Sequence, residues 1–243
     1  MLKLKSIPEK DVLFMDIETV PNWYKLEDAP ENFKNDWIRK FESKMPAHVK
    51  NDSESYLNFI NETWNSQASF FAEFSRIACI SVGFIIDNEI RIKSYHAKNE
   101  KDLISDFYED LTGFDKYVKG ARPCAHFGKG FDFPFIAKRS IANGIEVHRM
   151  FDNYGLKPWD SFCLDTHEAW RNGWNSNGGS LSVLCSIFGI DSPKNKMSGS
   201  DVKDYYYNDR ILEIVDYCES DVFALAKVFR AMKVQDYKSL KRQ

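Results

Sequence analysis

Three separated stretches place acidic or phenolic side chains inside otherwise apolar surroundings. The first is Asp16-Ile17-Glu18, which directly follows the apolar run Val12 to Met15. Residues two apart on a strand project to one face, so this step sets two carboxylates side by side at the end of a buried strand. At roughly 4 Å and an effective dielectric of about 20 their repulsion is on the order of 4 kcal/mol, and a divalent cation reverses it. The second is Asp132, at the end of His126-Phe127-Gly128-Lys129-Gly130-Phe131-Asp132, where a strand stops, glycines turn the chain and a helix starts. An Asp at that place also serves as a plain helix cap. The third is Tyr217 and Asp221, four apart and therefore on one helical face, within the apolar-periodic series Ile211, Ile214, Val215, Val222 and Leu225.

Context separates these from their look-alikes. Asp52 and Glu54 fall in a polar helix start, and Asp87 and Glu89 fall in a turn. Phe114-Asp115 and Phe151-Asp152 repeat the Phe-Asp step, and Tyr24 with Asp28 and Tyr205 with Asp209 repeat the third spacing outside a long apolar-periodic segment.

The elements that must position the three stretches follow from periodicity. Val12 to Met15, closed by Pro21, reads as a buried first strand, and Ile77 to Ile86 as a second. Asp87-Asn88-Glu89 turns the chain into the alternating Ile90 to Tyr95, a hairpin signal. Helical spacing of Leu103, Ile104, Phe107, Tyr108 and Leu111 predicts a helix over 100–114. A short run at Cys124 to Phe127, a helix from Phe133 or Pro134, a strand at Leu164 to Thr166, a helix capped by Ser180 and closing helices from Ile211 to Met232 complete the order. That order predicts an α/β protein with a mixed sheet flanked by helices, the hairpin supplying the antiparallel member. Residues 22–75 interrupt it with two amphipathic patterns, Phe33-Trp37-Ile38-Phe41 and Tyr56-Phe59-Ile60-Trp64-Ala68-Phe71, and read as a helical insertion after the first strand. The insertion either covers the sheet or forms one wall of a site beside Asp16 and Glu18.

Each signal alone is weak, but their order is specific: strand Asp-x-Glu, then turn-helix Phe-Asp, then helical Tyr-x-x-x-Asp, over a hundred and then nearly ninety residues apart. In these residues the chain resembles the DEDD superfamily of 3′-to-5′ exonucleases. The likeness is to its tyrosine type, in particular the exonuclease domain of family-B DNA polymerases and the standalone predicted exonucleases similar to it. Lys196-Met197-Ser198-Gly199-Ser200-Asp201-Val202 also looks like that standalone group. Histidine-type relatives carry His five positions before the last Asp, where this chain has Asp216.

The resemblance implies a ribonuclease-H-like five-stranded mixed sheet and a single exonuclease domain over 1–243. It further implies that Asp16, Glu18, Asp132 and Asp221 hold two divalent cations, Mg²⁺ or Mn²⁺, since an all-oxygen ligand set favours hard ions. One cation then activates the attacking water and the other stabilises the departing 3′ oxygen, while Tyr217 orients the water. A tyrosine with an ordinary pKa near 10 is no free base at neutral pH. Thr19, His126, Phe127 and Phe131 are the expected substrate-binding residues. Phe127 stands where family members often carry an Asn, so it either stacks on a base or packs in the core. Lys129 either reaches a phosphate or is solvated, and Trp170 and Trp174 read as packing residues. Lys194 and Lys196 are too few to define a basic groove.

Composition bounds these readings. The chain has 243 residues, 43% of them apolar, and a net charge of -3. Length and apolar content fit one full-sized domain with an embellishment. A near-neutral total neither announces nor excludes a nucleic-acid binder, and it is compatible with an enzyme that grips phosphate through metal ions. No apolar stretch reaches the length of a bilayer span, and Met1 to Lys10 lacks a secretory apolar run, so cytoplasmic residence is the expectation. Cys79, Cys124, Cys163, Cys185 and Cys218 lack a C-x-x-C pair and read as reduced thiols. The expected substrates are single-stranded DNA or RNA 3′ ends, with DNA first and nucleoside 5′-monophosphates as products. An RNA-trimming enzyme and a catalytically weak, polymerase-associated nucleic-acid-binding module are the alternatives.

Overall fold

The computed structural model describes residues 2–157, 159–173, 176–191 and 197–243. Trp174, Lys194 and Lys196 lie outside the described residues. In chain order the elements are α1 (Leu2–Lys5), β1 (Val12–Pro21), α2 (Glu31–Glu42), α3 (Ala47–Lys50), α4 (Ser53–Gln67), β2 (Ser75–Ile86), β3 (Glu89–Tyr95), α5 (Glu100–Tyr117), β4 (Arg122–Ala125), α6 (Asp132–Ala142), β5 (Leu164–Asp165), α7 (Thr166–Arg171), α8 (Leu181–Phe188), α9 (Val202–Tyr207), α10 (Ile211–Met232) and β6 (Lys241–Arg242).

Among the described residues one six-stranded sheet forms, in the order β5-β4-β1-β2-β3-β6. The predicted five strands are therefore joined by a sixth, because Lys241 and Arg242 pair parallel to Glu89 and Ile90 on the open edge of β3. A pairing two residues long leaves no periodicity to read. β1 pairs antiparallel with β2 and parallel with β4, so the sheet is mixed as expected. The β2-β3 turn places Asp87 and Asn88 at φ 47° and 65°. Left-handed φ at both central residues is what a two-residue hairpin turn demands, and Asn and Asp tolerate it better than most.

The two faces of β1 divide the core. Leu13, Met15 and Ile17 join Leu103, Ile104, Phe107, Phe133 and Ile136 of α5 and α6. Val12 and Phe14 face the other way and pack with Val222, Leu225, Ala226 and Phe229 of α10. The period of two that buries Val12 and Phe14 under α10 carries on to Asp16 and Glu18.

β1 also runs further than its apolar run. The carboxylates sit in mid-strand, not at its end, because β2 offers ladder partners from Gly83 to Ser75 along the whole of Phe14 to Pro21. The segment Ile211–Met232 is one continuous helix where several closing helices were expected.

Between β1 and β2 the helices α2 and α4 enclose a core of their own, with Trp37, Phe41, Ile60, Trp64 and Phe74 buried. The Trp37 indole donates to Thr63 Oγ1 at 3.2 Å, satisfying its polar handle within that core. The return of this segment to the sheet is held by Glu100, which is 6% exposed. Its carboxylate accepts from Ile77 N (2.7 Å), Arg139 Nη2 (2.6 Å) and Asn143 Nδ2 (2.9 Å), while Arg139 Nη1 donates to Ala72 O (2.8 Å). The network fixes α6 against β2. Glu100→Ala leaves the guanidinium and a strand N–H buried without their acceptor, and urea unfolding is expected to show a loss of about 3–5 kcal/mol. A loss under 1 kcal/mol would refute this account.

No helix among the described residues is long and apolar enough to cross a membrane. All five cysteines are buried and unbridged, as their spacing suggested.

Candidate active site

α10 runs antiparallel to β1, and the site follows from that register. The ring of Phe14 meets Phe229 edge-on at 5.3 Å. Four strand residues from Phe14 to Glu18 advance about 13 Å, and eight helical residues from Phe229 to Asp221 advance about 12 Å. Contact between the apolar ends thus brings the Tyr217–Asp221 turn over Asp16 and Glu18.

Oxygen or sulfur atoms of Asp16, Glu18 and Cys218 lie within 4.8 Å of one another and could hold a metal ion. Cys218 is the member that spacing did not single out. Its thiol reaches both Asp16 Oδ2 and Asp16 O at 3.4 Å. Cysteine in an apolar helix face is ordinarily a small hydrophobe, so only its position opposite Asp16 marks it.

Asp132 arrives from the other side of β1. The β1-β4 ladder stops at Phe14 and Cys124. Beyond it the Ile17 N–H is met by the Asp132 carboxylate, in place of a strand. Asp132 is the first residue of α6 and not its cap, which is Phe131. Pro134, also in the first turn, needs no intrahelical N–H partner there.

The turn that delivers Asp132 is tight. Phe127 has φ 67°, and a side chain on Gly128 would lie 2.5 Å from the Ala125 Cβ. Asp165, a second residue that the sequence reading passed over, holds this turn. Its carboxylate accepts from Phe127 N (2.9 Å), Lys129 N (3.1 Å), His167 N (2.9 Å) and Glu168 N (3.3 Å). A signal was present, since Asp165 ends the strand-like run Cys163-Leu164 as Asp16 ends an apolar run.

The electrostatics of the cluster are one-sided. Burial raises the Asp16 carboxyl well above the ordinary range, and its strongest charged neighbours, Asp221, Glu18 and Asp132, all add to the rise. Glu18 is raised by burial and then by Asp221. Asp132, 3% exposed, is pushed up to about 7, chiefly by burial, with Asp165 and Asp221 contributing and the Ile17 N–H opposing. Tyr217 donates its hydroxyl proton to Asp221, and burial with the surrounding acids drives its own pKa far above that of a free tyrosine. Acids gathered in a largely buried cluster, all of them oxygen donors, fit hard divalent cations.

The expected substrate-binding residues are placed as follows. Thr19 is buried beside Glu18, and its hydroxyl donates to Ser69 O at 2.7 Å. His126 Nε2 donates to Gly179 O at 2.8 Å and its Nδ1 faces Thr166 Oγ1 at 3.0 Å, so both ring nitrogens have internal partners. A carbonyl only accepts, which fixes the Nε2–H tautomer. Phe127 is 51% exposed and meets His167 edge-on at 5.2 Å. Phe131 is half-buried against Phe135. Lys129 forms an ion pair with Glu168 at 2.6 Å, and Trp170 packs on Phe188.

Comparison with known proteins bears on family and fold. Residues 69–238 match the model of a family described as a predicted 3′-5′ exonuclease related to the exonuclease domain of PolB. The chain belongs to this family. Within the PolB-like predicted exonucleases, the matched region contains Asp132, Tyr217 and Asp221 and begins after the strand that carries Asp16 and Glu18. No curated protein matches the chain. Among solved structures, the family B DNA polymerase from the hyperthermophilic archaeon Pyrobaculum calidifontis is similar at a TM-score of 0.55 and 14% identity. The likeness covers 92% of this chain and 24% of that polymerase, so the chain spans about a quarter of its length. At that identity the likeness establishes the fold, a ribonuclease-H-like mixed sheet flanked by helices.

Proposed function

We propose that the chain is a metal-dependent 3′-to-5′ exonuclease that hydrolyses the terminal phosphodiester of single-stranded nucleic acid, DNA first, and releases nucleoside 5′-monophosphates. Residues 1–243 act as one exonuclease domain in this reading, with 22–75 as its insertion. The observation that carries it is the set of acids from three distant stretches acting on one another: Asp16, Glu18, Asp132 and Asp221. Asp16, Glu18, Asp132 and Asp221 would hold two cations, Mg²⁺ or Mn²⁺. When bound, the cations supply positive charge that activates a water and stabilises the leaving 3′ oxygen.

The protein's own groups have distinct tasks. Ile17 N–H and the Asp165-held turn keep Asp132 aimed at β1. The Cys218 thiol steadies Asp16. Tyr217 stays protonated at neutral pH, so it orients the attacking water by hydrogen bonding and does not serve as the base.

Digestion of 5′-labelled DNA and RNA strands with free or blocked 3′ ends tests the reading. A ladder shortening from the free 3′ end, dependent on Mg²⁺ or Mn²⁺ and absent on blocked ends, is the expected result. Faster RNA digestion would make it an RNA-trimming enzyme, and tight binding without cleavage would make it a binding module. Tyr217→Phe is expected to slow the metal-dependent rate roughly tenfold, the worth of one neutral hydrogen bond. A rate equal to wild type would remove Tyr217 from the site.

A further inference from the structure

The turn that ends the insertion, Ala68 to Phe70, is bolted to the sheet by two side chains of the paired strands β1 and β2. Thr19 Oγ1 donates to Ser69 O at 2.7 Å and Ser75 Oγ donates to Ala68 O at 2.6 Å. Ala68 is fully buried, and Phe71 packs into the insertion's own core. Phe70, between them in position but turned outward, is 62% exposed. Its ring centroid lies 6.0 Å from that of Phe131 at an interplanar angle of 69°.

Both ends of this aromatic pair are tied to the carboxylates. Thr19 adjoins Glu18, and Phe131 adjoins Asp132. Two rings therefore meet beside chain positions that adjoin the cluster, one on the turn that Thr19 holds and one at the N-cap of α6. A stationary exposed ring loses little further freedom when a flat partner lands on it.

We propose that Phe70 is a base-stacking residue, and that the insertion exists in part to hold it there for an unpaired base within the last two nucleotides of the strand being trimmed. This rests on the exonuclease reading above. The occupant is a nucleobase because cations held by the carboxylates would engage the phosphate next to it, and an aromatic face accepts any base. A base held in a duplex keeps its own stacking neighbours, so this contact favours single-stranded or frayed ends.

The test compares Phe70→Ala and Phe70→Trp with wild type. On a single strand, KM is expected to rise about tenfold in Phe70→Ala, with kcat changed less than threefold, and to stay within about threefold of wild type in Phe70→Trp. On strands lacking the base at the last or the penultimate nucleotide, one of the two should bring wild type and Phe70→Ala to the same KM. An unchanged KM in Phe70→Ala, or a gap that persists on both abasic strands, overturns the assignment. Fluorescence anisotropy with a labelled strand in Ca²⁺ reads binding alone. A tenfold binding gap there without digestion by wild type would refute the catalytic reading and keep the base site, whereas digestion without any binding gap would do the reverse.

Discussion

Asp16→Asn is expected to lose metal-dependent digestion by on the order of a thousandfold or more and, in the same preparation, to melt higher than wild type in metal-free buffer at pH 8. Several kcal/mol of transition-state stabilisation are at stake when a cation ligand is removed, and 1.36 kcal/mol is a factor of ten in rate. The higher melting point separates this loss from damage to the fold. Asp16 faces Asp221, Glu18 and Asp132, all acids, so neutralising it relieves repulsion in the folded state. Asp221→Asn should lose digestion to a similar extent, since the Asp221 carboxylate acts on both Asp16 and Glu18. A variant with full activity, or an inactive Asp16→Asn that melts lower, would contradict the cluster's role. The trade of stability for chemistry is common at active sites.

The second large effect is a stability that depends on pH and on metal together. Unfolded carboxyls titrate near pH 4, whereas folded Asp132 titrates at about 7 and Asp16 and Glu18 are raised as well. Between those limits the folded chain holds more protons than the unfolded one, so stability is greatest at the acid end and falls as pH rises. For Asp132 alone the span is on the order of 4 kcal/mol, which for a chain of this size is roughly 10 °C in melting temperature. In EDTA the melting temperature should therefore drop between pH 5 and pH 8, where most acidic groups at other sites are already ionised. Millimolar Mg²⁺ or Mn²⁺ at pH 8 should restore much of the drop, because ions that bind only the folded chain stabilise it by mass action. A flat profile in EDTA, or no response to metal, would mean that the carboxylates do not form a cation site.

Much of this was legible from residues. The hairpin was marked by Asp87-Asn88 between alternating runs, α5 by its helical spacing, and α8 by the Ser180 cap, whose hydroxyl accepts from Val183 N. The two helical patterns of the insertion were visible because each buries one face, Trp37 and Phe41 in α2 and Ile60 and Trp64 in α4. Asp52 behaves as its polar helix start implied, capping α4 by accepting from Ser55 N, and Asp115 pairs with Arg149.

Other features left no such mark. The sixth strand depends on an edge of β3 that exists only once the sheet is assembled. Asp165 looked like the end of a strand, and its four N–H donors come from two turns that only folding brings around it. Phe70 falls off the helical face that Ala68 and Phe71 mark, but only folding sets its exposed ring beside Phe131.

The order of residue types along the chain determined which acids could act, because a carboxylate on an apolar strand or helix face is costly wherever that face is buried. The tertiary structure decided that they lie close enough to perturb one another. The antiparallel pass of α10 over β1 and the early end of the β1-β4 ladder bring them together, and both are properties of packing between elements rather than of any one segment.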